Sequence, residues 1–99
     1  METKTKILLV EDEYIVRKGI IKTVDWDSIG CEVIGEASDG GEAIEMIKTL
    51  SPDIIITDIC MKEMDGIKML KKLKEEELDV KAIILSGYTD FEYAKSAME

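Results

Sequence analysis

An α/β fold with a parallel sheet is predicted for this 99-residue chain by three features. Short apolar runs alternate four times with stretches of helical periodicity, the order of repeated βα units. Two of the runs, Lys6–Val10 (KILLV) and Ile54–Thr57 (IIIT), are nearly unbroken rows of large apolar residues, as in strands buried on both faces. Those two runs also end in carboxylates, Glu11-Asp12 and Asp58. Open parallel sheets place their chemistry beyond the carboxyl ends of strands, so these acids are expected to share one rim.

The elements follow in order. The first strand is Lys6 to Val10. After Glu11-Asp12-Glu13, a helix is predicted from Tyr14 to about Val24, with Val16, Ile20 and Val24 on one face and Arg17, Lys18 and Lys22 away from it. The three acids before it also read as a plain acidic cap, since a helix N-terminus favours negative charge. Asp25 to Gly30 is a turn-rich link in which Trp26 packs at the helix end. The second strand is Cys31 to Ala37, and its polar Glu32 and Glu36 mark it as a sheet edge.

Ser38-Asp39-Gly40-Gly41 opens a second helix, Glu42 to Leu50, with Ala43, Ile47 and Leu50 in a row. Ser51-Pro52 ends it and restricts the chain before the third strand. A third helix runs from Ile67 to about Glu77 with Ile67, Leu70 and Leu73 in register, its lysines and Glu75-Glu76-Glu77 facing solvent. The fourth strand is Lys81 to Leu85, ending in Ser86-Gly87. The last segment, Asp90 to Glu99, reads as a helix with Asp90 as N-cap and Phe91, Ala94 and Met98 on one side. Four βα units imply parallel pairing, right-handed crossovers and helices on both faces.

Composition narrows the function. The length suits one domain, residues 1–99, and 45% hydrophobic with 35% charged residues is the balance of a soluble globular protein. There is no membrane-length apolar segment, and METKTK leads into a strand and not into a signal peptide, which gives the expectation of a cytoplasmic protein. A net charge of −9, from 22 acids against 13 bases, argues against direct nucleic acid contact by this segment. Cys31 and Cys60 make neither a disulfide framework nor a zinc site, and with no histidine the chain has no His-based catalysis.

Glu11, Asp12 and Asp58 meeting at one rim would repel one another, because like charges raise each other's pKa. A divalent cation compensates, and all-oxygen ligands suit Mg²⁺ or Mn²⁺. The carbonyl of Cys60 offers a further oxygen. A carboxylate beside such an ion can act as nucleophile towards a phosphoryl group, and the hydroxyl of Ser86 is placed to bond one of its oxygens. Taken singly, Ser86-Gly87 is ordinary turn chemistry. Three strands that end in groups suited to one site make the functional reading the better one.

At these residues the chain resembles a response-regulator receiver domain of two-component signalling. The resemblance rests on Glu11-Asp12, Asp58, Met64-Asp65-Gly66 and Ser86-Gly87-Tyr88, each in place after its strand. The Trp26 link and the stretch from Ser86 to Ala94 are similar to receivers of AraC-type regulators. The resemblance implies a flavodoxin-like doubly wound sheet of order 2-1-3-4. It makes Asp58 the phosphoacceptor, Ser86 the switch hydroxyl, and Glu11, Asp12, Asp58 and the Cys60 carbonyl the ligands of Mg²⁺. It implies a sensor histidine kinase as partner, a DNA-binding output in another region, and a domain not classed as an enzyme.

The sequence departs from the pattern in two places. Lys62 stands where many receivers have proline. Glu99 falls inside the fourth helix, so the family's fifth strand, its lysine and its fifth helix are expected to be missing. That predicts an exposed fourth strand, weakened phosphotransfer, and either a fragment of a longer regulator or a chain that self-associates, for instance as a homodimer. Two other readings stay open: a receiver-shaped interaction module without phosphotransfer, and a Mg²⁺-dependent phosphotransferase or nuclease on another acidic fold. The second usually needs another Asp two positions past one acid, and position 60 is Cys.

Overall fold

The computed structural model describes residues 3–58 and 66–85. Its elements are β1 (Thr5–Val10), α1 (Tyr14–Thr23), a 3₁₀ turn (Asp27–Ile29), β2 (Cys31–Ala37), α2 (Gly40–Leu50), β3 (Ile54–Asp58), α3 (Gly66–Glu75) and β4 (Lys81–Leu85). The strands are all parallel in the order β2-β1-β3-β4. This is the predicted α/β architecture, with β2 an edge as its glutamates foretold. The helix expected over residues 90–99 lies outside the described residues.

Each boundary has a local cause. Asp39 caps α2 by accepting the Glu42 N–H at 2.8 Å, which satisfies one of the free donors of the first turn. Ser51 ends α2 in the left-handed region, at φ 49°, and buried Pro52 cannot continue the helix. Gly30, at φ 73°, turns the chain from the 3₁₀ segment into β2, and its carbonyl accepts from Thr5 at 2.8 Å. Trp26 closes the end of α1 by donating Nε1–H to the Ile21 carbonyl at 3.1 Å.

The core lies between the sheet and the α2–α3 layer. Leu8, Val10 and Ile55 pack against Ala43, Ile44 and Ile47 of α2 and Met69 and Leu73 of α3, all buried. Burying one such Leu or Ile side chain contributes about 1.5–3 kcal/mol, so this layer carries much of the fold. The helical rows differ slightly from expectation. Met69 is buried where Leu70 is half-buried, and Leu50, at the tip of α2, is exposed.

The other face is different in kind. No residue of α1 is buried, and Val16 and Val24, expected to face inward, are 42% and 36% exposed. Arg17 and Lys18, expected to face solvent, instead turn towards β2 and are half-buried. A polar anchor therefore replaces much of the apolar stripe. Among the described strands β4 forms the second edge, and its Ile83 and Leu85 are exposed.

Candidate metal and phosphoryl site

The site is built where β1 and β3 end side by side. Leu9 pairs with Ile56 and Val10 with Thr57, so the next residues, Glu11 and Asp58, emerge at the same rim. Thr57 is fully buried, and its hydroxyl donates to the Asp58 carbonyl at 2.9 Å, which steadies the backbone that carries the acid. Glu11 extends the ladder on the other side, its N–H donating to the Ala37 carbonyl at 3.0 Å.

Glu11, Asp12 and Asp58 meet there, each offering a carboxylate oxygen, and these atoms lie within 4.8 Å of one another. Glu11 is only 5% exposed, which sets it apart from a solvated surface acid. Burial pushes its carboxyl up to about 7, against the opposing bond from the Glu13 N–H. A hydrogen bond shared with Asp12 and the charges of Asp58 and Asp12 raise it further. A carboxyl kept half-protonated near neutrality marks a place where negative charge is crowded and a cation would be welcome. An all-oxygen donor set without nitrogen or sulfur fits a hard divalent ion. The residues present therefore fit a metal.

Two anchors hold the Glu11 segment. The Glu11 side chain accepts from the Glu13 N–H at 3.1 Å, and the Glu11 carbonyl accepts from Arg17 Nη1 at 2.6 Å. Arg17 Nε donates to Glu36 Oε1 at 2.9 Å, and Lys18 Nζ to Glu36 Oε2 at 2.8 Å. Sequence reasoning missed Arg17 and Glu36 as members of this neighbourhood. The signal was available only as a basic pair in α1 and an acid in β2, with nothing local to join them.

The structure brings together Glu11, Asp12 and Asp58 as expected. Cys60 and Ser86, the other two predicted site residues, lie outside the described residues, as does Lys62. A cleft of about 700 Å³ opens at the opposite rim, among Lys4, Ile47, Asp53, Leu78 and Lys81. It lies at the amino ends of the strands, away from the acid cluster, and Asp53 there already accepts the Lys6 N–H at 2.8 Å.

The response regulator receiver domain family matches residues 7–99. The chain belongs to that family. The receiver domain is 45% identical over 94 residues to the transcriptional regulatory protein YesN of Bacillus subtilis, covering 95% of this chain and 26% of YesN. It superposes with a TM-score of 0.84 on the two component transcriptional regulator AraC from Clostridium phytofermentans, at 35% identity over 95% of this chain and 73% of that one. It also superposes on the CheX-CheY-BeF3-Mg+2 complex from Borrelia burgdorferi with a TM-score of 0.74, at 27% identity over 93% of this chain and 71% of that one.

The acid cluster is thus consistent with the metal and phospho-aspartate site of response regulators. One expectation is overturned. The sequence reading placed the chain outside the enzymes, whereas receiver membership together with an acidic cluster that could hold a metal indicates the catalytic phosphoryl-transfer chemistry typical of receiver domains. The physical reason is proximity: a carboxylate held beside acids that could hold a cation combines a nucleophile with a means of neutralising charge, which phosphoryl transfer requires. No helix among the described residues is long and apolar enough to cross a membrane.

Proposed function

We propose that the carboxylate of Asp58 accepts a phosphoryl group from a phosphohistidine on a sensor histidine kinase. The observation that carries this reading is the meeting of Asp58 with Glu11 and Asp12 at the ends of β1 and β3. Glu11, Asp12 and Asp58 would hold Mg²⁺, with the Cys60 carbonyl as a further oxygen. The ion supplies charge neutralisation for the transferring oxygens.

Asp58 contributes the nucleophilic oxygen: a new P–O bond forms as the P–N bond to the donor imidazole breaks, and the imidazole leaves with the electron pair. Asp58 attacks from a backbone fixed by the Thr57 hydroxyl, so little reorganisation is needed. Ser86 is the hydroxyl assigned to one of the phosphoryl oxygens. Residues 1–99 act as one receiver unit, in the cytoplasm, with a DNA-binding region elsewhere; the likeness to the transcriptional regulatory protein YesN supports an output in transcription. Self-association through β4, where Ile83 and Leu85 are exposed, belongs to the same reading.

The test is labelling by acetyl phosphate with Mg²⁺ and detection of an acid-stable, hydroxylamine-sensitive adduct. Wild-type chain should label and Asp58→Asn should not. Labelling that persists in Asp58→Asn would remove Asp58 from the role. A folded wild-type chain that binds Mg²⁺ without labelling would favour a receiver-shaped interaction module.

A further inference from the structure

Arg17 ties together α1, β2 and the segment that follows β1. It sits one turn into α1, with its own N–H donating to the Glu13 carbonyl at 2.9 Å. Its side chain is 13% exposed, and its guanidinium reaches Glu36 of β2 through Nε and the Glu11 carbonyl through Nη1. Two nitrogens of one rigid plane thus make two charge-assisted bonds in different directions, which a lysine ammonium cannot reproduce. Tyr14 lies against the same cation, its ring centroid 5.5 Å from the guanidinium carbon.

Glu36 is available to Arg17 because of an irregularity in the sheet. The β1–β2 register steps between Ile7, opposite Val33, and Leu8, opposite Gly35, so Ile34 is an extra residue. From there on, Gly35 and Ala37 share the α2 face with Leu8 and Val10, and Glu36 shares the α1 face with Leu9. Without the bulge Glu36 would point into the apolar layer. The bulge thus presents a carboxylate to α1, and Arg17 passes that fixed point on to the backbone of Glu11.

We propose that Arg17 is a positioning residue for the acid cluster, bridging Glu36 on β2 to the Glu11 carbonyl so that Glu11 and Asp12 stay aimed at Asp58. The proposal rests on the phosphoacceptor reading, since it concerns the same three acids. It differs from a purely structural role and from a purely electrostatic one in sign. By Coulomb's law alone, removing a positive charge beside a cation site tightens cation binding. Loss of positioning loosens it, as loss of outer-sphere partners commonly does by tenfold or more.

The experiment is calorimetric titration of the full chain with MgCl₂ at constant ionic strength, with thermal unfolding of each variant followed in parallel. Arg17→Met should bind Mg²⁺ about tenfold more weakly, and Arg17→Lys should not restore it, because the ammonium keeps the charge without the fork. Lys18→Met removes the other cation on Glu36 and should bind at least as tightly as wild type. Glu36→Gln, the variant least apt to disturb folding, should weaken binding by about threefold, less than the usual outer-sphere loss because the amide oxygen still accepts from Arg17.

Unchanged or tighter binding in Arg17→Met overturns the proposal, as does full rescue by Arg17→Lys. If Arg17→Met does not fold, unchanged binding in Glu36→Gln overturns it instead. A wild-type chain that binds no Mg²⁺ sinks the phosphoacceptor reading and this one with it, whereas wild-type binding with unaffected variants sinks only the role of Arg17.

Discussion

Leu8 of β1 stands opposite Gly35 of β2, one step out of the register that Ile7 keeps with Val33. That step decides which residues of β2 meet the core and which meet α1, and it brings Gly35 close under side chains of α2 and β1. A Cβ on Gly35 would lie 2.7 Å from the Met46 Cε, 3.1 Å from a Leu50 methyl and 3.2 Å from a Leu8 methyl.

Gly35→Ala should therefore destabilise the chain by about 1–2 kcal/mol, the ordinary cost of overpacking, and not more, because the closest atom is the end of a flexible methionine. Urea unfolding of the variant reads this directly. Gly35→Ala combined with Met46→Ala should recover part of the loss from the clash, a non-additivity that a double-mutant cycle detects.

The two faces of the sheet should respond unequally to truncation. Leu73→Ala, in the buried α2–α3 layer, should cost about 2–4 kcal/mol. Ile15→Ser, at a side chain 84% exposed, should change stability by less than about 0.5 kcal/mol. Equal losses from the two variants in urea titrations would contradict the placement of the core.

Removing the cap of α2 should show at the level of a single hydrogen bond. Asp39→Ala deletes the acceptor of the Glu42 N–H and should cost about 1 kcal/mol, while Asp39→Asn, which keeps an oxygen there, should cost less. Thermal midpoints of the two variants at one pH separate these outcomes.

Stability without metal should fall with pH. The Glu11 carboxyl is raised from 4.5 to about 7 in the folded chain, so its contribution to stability is complete below about pH 4.5 and is lost as pH rises through about 7. Glu11→Gln should flatten that slope and make the metal-free chain more stable than wild type at pH 8. Saturating Mg²⁺ should stabilise wild type most above pH 7, where Glu11 increasingly gives up its proton, by binding the folded state alone. Unfolding curves with EDTA and with Mg²⁺ across pH 5–8 measure both effects.

Glu36 works in the opposite sense. The Lys18 ammonium and the Arg17 guanidinium hold its carboxyl below the usual value against the effect of burial. Its contribution is therefore present above about pH 4.5 and lost as pH falls through the lower folded value. An NMR titration of the Glu36 carboxyl should find it below 4.5, and Lys18→Met should move it upward.

The strand and helix limits were legible because their causes are local. Apolar runs, Pro52, the helix opening at Ser38-Asp39-Gly40-Gly41 and the apolar rows of helical spacing are properties of neighbours in sequence, and β2 and β4 match their expected bounds. The acids at the strand ends were legible for the same reason: a strand that stops at Glu11 or Asp58 carries that acid to the sheet's rim whatever else surrounds it. The inward face of α1 was not legible in this way. Val16, Ile20 and Val24 form an apolar row, yet the contacts of α1 with β2 run through Arg17 and Lys18, because Glu36 is the group β2 presents there.

By itself, then, the amino-acid order determined four βα units, a parallel sheet and three carboxylates delivered to one end of it. Tertiary structure alone decided that Ile34 is spare in the ladder, that Glu36 turns towards α1, that Arg17 reaches the Glu11 carbonyl, and that Glu11 is buried deeply enough to hold its proton near neutrality. The reason is that register and desolvation depend on pairs of residues far apart in the chain. Such pairs acquire an energy only when the strands that carry them are already side by side.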